Sequence, residues 1–583
     1  MKRKAFRRIC RSRLVVAALF AMLVVAFCVP EVRPDDKTSG VSSASPQNAL
    51  GQSLSPQEQA ELVGLIRAAN LADLRWPNFI DYRDQALTFY EAGAYALAWV
   101  NNNEPTPQAV TLIQLFKTAS EKGLNPDDYD SSRWDDRIAK LRAPSAADLE
   151  HFDLALTVCA MRYVSDLHVG RVNPQHFKFG IDVGPKRDDL TQFLRNEVVY
   201  SHDLNGAIAA VEPKYAGYDR LKTTLDKYLK LAAEGDAQPV PLPAQTVRPG
   251  ESYSEMPQLV ARLNQLGDTV PNDWSESAGG SSTYRGVVVD SVKHFQGRHG
   301  LQPDGFIGKG TVAALNTPLR IRVQQIQFAL ERYRWIPDRF PQPPIVVNIP
   351  EFRLRTMIKQ PGARPLDMAV VVGKAYKHKT PVFTNYMRYV IFRPYWEVPP
   401  SIEQAELIPK LRRNPNYAAA NNFEVVDGGG DVVADGAVSA EVLGGLRSGA
   451  YRIRQKPGPK NSLGLIKFIF PNAYNVYMHG TPANQLFSRS RRDFSHGCIR
   501  LESPLTLAEW VLHNNHEWTN DRIVAAMNGS ETIQVDLAHP IPVLILYSTA
   551  VAEPNGDIHF FEDIYGYDAE LRSVLEAGYP YPT

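Results

Sequence analysis

The chain has 583 residues, which at about 150 residues per domain suggests three to four domains. Lys and Arg number 64 against 63 Asp and Glu, but seven basic residues lie in the first thirteen positions, so from Glu31 onward the net charge is −6. That balance argues against a nucleic-acid binder, the 44% apolar content against global disorder, and four cysteines against a disulfide scaffold.

Leu14 to Val29 is an uncharged apolar run of 16 residues directly after the basic cluster. A basic flank followed by a short apolar run reads as a secretory signal. The run is short of the roughly 20 residues of a full span. No clean A-x-A site follows, so an uncleaved anchor stands beside the cleaved signal. Either form puts the body of the chain outside the cytoplasm, because the positive flank stays inside. As an anchor, residues 14–29 would tether the chain to an inner membrane. Residues 31–56, rich in Ser, Pro and Gly, read as a flexible spacer.

Residues 57–234 carry helical spacing in Leu62, Ile66 and Ala69, and in Leu112, Leu115, Phe116 and Ala119. Cys159 falls in an apolar helical stretch and reads as a small core residue. A Pro-rich linker is expected at 235–255. Three short helices follow within 256–318, marked by Leu259, Leu263 and Leu266, by Val288, Val292 and Phe295, and by Val312 and Leu315. A connecting helix and linker are expected over 319–343. From about residue 344 to 550, β-branched and aromatic runs broken by Gly and Pro predict strands. The pattern lapses over 401–450, which reads as an insert with a short helical piece and a glycine tract, Gly428 to Gly430. Residues 551–583 read as a hairpin around Asn555-Gly556 and a tail.

The chemistry concentrates in Met478-His479-Gly480-Thr481 and Ser495-His496-Gly497-Cys498-Ile499-Arg500. A cysteine nucleophile needs a base or a cation to form thiolate, since a free thiol titrates near pH 8.5. It also needs donors aimed at the developing oxyanion. Gly497 permits close backbone approach, so the amides of Gly497 and Cys498 are candidate donors. No second thiolate or third clustered ligand accompanies the pair, so no metal is expected.

The segment VKHFQGRHGLQPDGFIGKGTVAALN resembles the three-helix peptidoglycan-binding module of cell-wall enzymes. The His-Gly pair, the gap and the Ser-His-Gly-Cys run closed by Arg500 resemble the L,D-transpeptidase (YkuD-type) catalytic domain. The chain order, with YWEVPPSI, RQKPGPKNSLG and FFEDIYGYD, is similar to the large periplasmic YcbB-like subgroup. The resemblance implies a multidomain α+β fold: a helical scaffold, a small peptidoglycan-binding module and a mainly-β catalytic domain with an inserted cap. It implies Cys498 as nucleophile and His479 as base, supported by Ser495, His496, Gly497 and Arg500, with Trp396, Asn461 and Tyr477 touching substrate. It implies no cofactor. The implied partners are peptidoglycan stem peptides, a donor tetrapeptide and an acceptor diamino-acid side chain, with wall-synthesis enzymes as companions and a carbapenem as inhibitor. The expected reaction is a 3→3 cross-link with release of terminal D-Ala. A carboxypeptidase or hydrolase, attachment of a protein to peptidoglycan, and a non-catalytic peptidoglycan-binding scaffold are the alternatives.

Overall fold

The computed structural model describes residues 52–186, 189–270, 283–356 and 365–582; the leader and most of the spacer lie outside the described residues. No described helix is long and apolar enough to cross a membrane.

Ser55 opens the helix Pro56–Ala68 with a capping box to Glu58, and Ser145 opens Ala146–His168 in the same way with Asp148. The second helix is buried on nearly every side, so its polar residues must find partners inside the protein. Asp153 accepts from Tyr90 Oη at 2.7 Å and from the amides of Ala98 and Trp99 at 3.1 and 2.7 Å. Asp166 accepts from Tyr129 Oη at 2.7 Å and from Tyr579 Oη at 2.8 Å. Tyr579 belongs to the C-terminal tail, which also reaches back through Tyr581 Oη to Asp128 and through Pro582 O to the Asn173 amide. Cys159 is fully buried, as its apolar neighbours predict.

The helices Met256–Leu266, Val287–Arg298 and Lys309–Leu315 follow the expected apolar spacing. Their core is shared rather than closed on itself. Leu259, Val292 and Phe295 join one cluster with Tyr218 and Leu225 of the helix Ala216–Glu234, Ile326 of Leu319–Arg334, and Phe560. The Pro-rich segment before them packs down as well. Val240, Val247 and Tyr253 are buried, and Val247 pairs with Ile307.

Among the described residues nine strands form the C-terminal sheet: β1 Ile345–Asn348, β2 Arg353–Thr356, β3 Asp367–Gly373, β4 Phe383–Phe392, β5 Ile466–Ile469, β6 Met478–His479, β7 Asp493–Ser495, β8 Ile499–Leu501 and β9 Ile533–Leu546. Among the described residues, β3-β8-β6-β5-β4-β9-β1-β2 run side by side and β2 pairs back to β3, closing an eight-stranded barrel with β7 beside β3. Closure leaves those eight strands no free edge. Three pairings are parallel: β6 with β8, β9 with β1, and β7 with β3. Ile345, Val347, Val370, Phe392 and Phe468 fill the core, whereas Val346 turns outward onto the helical cluster.

The insert is larger and more ordered than the sequence predicts. Trp396–Glu397 does not continue β4 into the barrel; it pairs with Arg452–Gln455. That strand pairs with Phe423–Val426, which pairs with Val432–Ala434, giving the cap its own four-stranded sheet from 396 to 455. The glycine tract is the turn of its last hairpin. Asp427 Oδ1 accepts from the amides of Gly429 and Asp431 there, so the carboxylate orders what glycine alone would leave loose. Val398, Leu411, Val425, Leu446 and Ile453 form a separate small core. At the other end, IPVLIL belongs to β9, and the late hairpin is only Ala550–Ala552 with Ile558–Phe560.

Glu331 on the helix Leu319–Arg334 joins the helical region to the rest. It is fully buried and accepts from the amides of Arg171 and Val172 at 2.6 and 3.1 Å, from Arg171 Nε at 3.3 Å and from Arg334 Nη1 at 3.4 Å. Removing it would strand two buried guanidiniums. Glu331→Ala is therefore expected to cost about 3–5 kcal/mol and to lower the thermal unfolding midpoint, with Glu331→Gln between it and the wild type; calorimetry reads both.

Candidate active site

The site begins with register. Met478 stands opposite Ile499 across the parallel β6–β8 pair, and both are buried in the barrel core. Side chains alternate along a strand, so His479, Arg500 and Cys498, one residue before Ile499, turn to the opposite face. On the other flank of β6, Lys467 of β5 stands opposite His479. Three adjacent strands thus present Lys467, His479 and Arg500 in a row, with Cys498 at its end. They face a cleft of about 2170 Å³ between the barrel and the cap, lined also by Trp396, Tyr477 and Lys410.

Burial drives the thiol and the imidazole in opposite directions. His479 is pushed down to about 3 by desolvation, with Arg500 adding to it, so the ring is neutral at physiological pH. Its Nδ1 faces Gly480 O at 2.5 Å, which suits Nδ1–H as donor and leaves Nε2 as acceptor. Burial pushes the Cys498 thiol up, opposed by hydrogen bonding from Tyr477 and by the charges of Lys467 and Arg500. Both cations are themselves held below their ordinary values by burial. Lys467 Nζ lies 4.6 Å over the Tyr477 ring, and Arg500 Nε has no hydrogen-bond partner. Among the described residues neither cation makes an ion pair.

The Cys498 loop is braced from several sides. Gly497 adopts φ +116°, a conformation that favours glycine. Its amide donates to Ser495 Oγ at 3.1 Å, and Ser495 Oγ donates to Cys498 O at 2.6 Å. The expectation that Gly497 N–H is free for an oxyanion is thereby corrected, which leaves the Cys498 amide as the backbone donor. Gly497 O accepts from Thr380 Oγ1 at 2.8 Å, and Tyr565 Oη reaches Gly373 O at 2.6 Å and the Thr380 amide at 3.1 Å. The FFEDIYGYD segment therefore steadies the nucleophile loop without entering the cleft. His496 points to the cap, where Nε2 meets Glu406 Oε1 at 2.7 Å, and its ring lies 4.7 Å from that of His378.

Trp396 and Tyr477 line the cleft as the resemblance implies. Asn461 does not. It is fully buried, its amide donates to the carbonyls of Pro394, Gln455 and Lys456, and its Oδ1 accepts from the Leu463 amide, so it shapes the turn into β5. Lys467, Glu406 and His378 are cleft residues that sequence reasoning missed. A lysine inside the apolar run IKFIF was the one available signal for Lys467.

Residues 343–533 match the L,D-transpeptidase catalytic domain, a span that contains His479 and Cys498. The chain carries an L,D-transpeptidase catalytic domain. Residues 84–225 match a scaffold domain and 252–315 a peptidoglycan binding domain. A Haemophilus influenzae protein whose name assigns it to the L,D-transpeptidases is 33% identical over 249 residues, 43% of this chain; the match spans about half of that relative's length (49%). A solved L,D-transpeptidase fragment from Xylanimonas cellulosilytica aligns with 52% of this chain and all of its own, at 12% identity and a TM-score of 0.16. The match to the catalytic domain and the match to the peptidoglycan binding domain thus lie in one chain, the second ahead of the first.

The electrostatics set the pH response of the Cys498 thiol. His479 is already neutral above about pH 4, so alkylation of Cys498 by iodoacetamide should rise with pH without an inflection near 6.5. Lys467→Met removes a cation that favours thiolate. It should shift that rise to higher pH and slow alkylation at pH 7 by about threefold to tenfold. A stopped-time mass assay across pH 5–10 measures both.

Proposed function

We propose that the chain forms 3→3 peptidoglycan cross-links. The observation that carries the reading is the placement of His479 and Cys498 on one face of the β6–β8 pair, opening into a cleft whose floor has two unpaired cations. Peptidoglycan stems carry carboxylates, and Lys467, Arg500 and Lys410 complement them.

In the proposed reaction Cys498 Sγ attacks the carbonyl at the L-centre of the third residue of a donor tetrapeptide. The thiol proton passes to His479 and then to the departing amine, so the amide C–N bond breaks, a thioester forms and D-Ala leaves. The side-chain amine of a second stem then attacks the thioester. Its proton returns through His479 to sulfur and regenerates the thiol. Charge on the carbonyl oxygen is met by the Cys498 amide, with Arg500 beside it. The cap supports transfer to an amine over hydrolysis, because a covered thioester is less exposed to water. The His496–Glu406 bond ties the cap to the nucleophile loop.

Purified disaccharide-tetrapeptide is the test substrate. A dimer lacking one D-Ala is the expected product; tripeptide alone would convert the reading to a hydrolase. Cys498→Ala should abolish turnover with the fold intact, and His479→Ala should cost nearly as much, because nucleophile and base act as a unit. One carbapenem adduct per chain should appear by intact mass and vanish in Cys498→Ala. Glu406→Ala should loosen the cap and raise the tripeptide-to-dimer ratio severalfold while Cys498 still acylates; an unchanged ratio would mean the cap does not shield the thioester.

A further inference from the structure

A second groove, of about 1050 Å³, opens away from the catalytic cleft, where the peptidoglycan-binding module meets the barrel. Its first wall is the end of the helix Val287–Arg298 and the turn after it, Gly297 to Pro303. Its second is the β1–β2 turn with Phe352 and Arg353, and its third is the loop Phe487 to Arg492. That loop lies between the two catalytic motifs and runs directly into β7, whose Ser495 holds the Cys498 loop.

The charges of the groove do not cancel. Arg353 is paired with Asp367, and Arg491 with Asp493 and Glu562. Glu351 is taken by Arg355. Arg492 spends its donors on the backbone carbonyls of Val370, Phe352 and Arg489 and meets no carboxylate directly. Arg489 is exposed, with its guanidinium only over the Phe494 ring, 5.3 Å from the centroid. Arg489 is therefore the one guanidinium of the groove that meets neither a carboxylate nor a carbonyl among the described residues, and half-buried Phe487 lines the groove beside it.

We propose that this groove binds a peptidoglycan strand through a stem carboxylate on Arg489, so that the strand held by the module is continuous with the loop that leads to the nucleophile. The assignment rests on the cross-linking reading for its ligand. Charge complementarity selects an anionic segment, and the module wall selects the wall polymer over other anions. A strand seated here gains local concentration at the catalytic domain without occupying the Cys498 cleft.

The experiment is co-sedimentation of the full chain with purified sacculi over a salt series, for wild type, Arg489→Glu and Arg489→Lys. Arg489→Glu should weaken binding by about tenfold and flatten its salt dependence, and Arg489→Lys should keep most of the affinity. Equal thermal midpoints show that the fold is intact. Equal sacculus binding by wild type and Arg489→Glu would overturn the proposal. So would loss of binding to anionic phospholipid vesicles with sacculus binding unchanged, which would assign the groove to a membrane surface. Wild type that binds sacculi through Arg489 yet yields no cross-linked dimer would remove the cross-linking reading and leave the groove standing.

Discussion

The site depends on one two-residue parallel pairing. Between β6 and β8, Met478 and Ile499 share the core while His479 and Arg500 share the cleft. A slip of one residue would turn His479 into the barrel and Met478 into the cleft, because side chains alternate. Burying Met478 and Ile499 therefore also fixes where the imidazole points. A pairing this short has little stability of its own. It is trapped by β5 on one side and β3 on the other, inside a barrel that cannot slip without breaking its closure.

The nucleophile loop is held from outside the barrel by residues far away in sequence. Tyr565 reaches Gly373 and Thr380, and Thr380 reaches Gly497. A Cβ on Gly373 would fall 1.8 Å from His378 O, so that close approach requires glycine. The tail beyond Tyr565 continues to the helical region, where Tyr579 and Tyr581 donate to the buried Asp166 and Asp128. Burial raises Asp166 to about 7 and raises Asp128 as well, so the contact between tail and scaffold is sensitive to neutral-range pH. A carboxylate raised in the fold contributes stability at low pH that is lost as pH climbs through that value.

The candidate pair His479 and Cys498 could be singled out in the sequence because its motif is local: a loop of Ser, His, Gly and Cys has few structural reasons to exist. The helical module was legible through spacing of Leu259, Val292 and Phe295, which depends on nothing distant. The cap was less so. Its four strands are two to four residues long and pair across gaps of up to some fifty positions, so alternation never runs far enough to register. Asn461 misled because a buried asparagine that satisfies three carbonyls looks, in sequence, like one that meets a substrate. Gly497 was read as permitting close backbone approach with its amide a candidate donor, but that amide's partner, Ser495 Oγ, is a matter of side-chain rotamer and not of pattern.

The resting site follows from desolvation. A preformed thiolate–imidazolium pair requires the imidazole to hold its proton more tightly than the thiol. Here burial moves His479 down to about 3 and the thiol up, so thiol and ring are both neutral at physiological pH. In the proposed reaction the proton leaves sulfur as the carbon–sulfur bond forms, when negative charge passes to the carbonyl oxygen facing the Cys498 amide. Lys467 and Arg500 oppose the cost of that charge, and desolvation holds both below their ordinary values. Both are half-buried, Lys467 rests on the Tyr477 ring, and among the described residues neither meets a carboxylate in an ion pair. A cation in this position gains more from an anionic ligand than one already neutralised within the fold, which is why the proposed carboxylate-bearing stem suits the cleft.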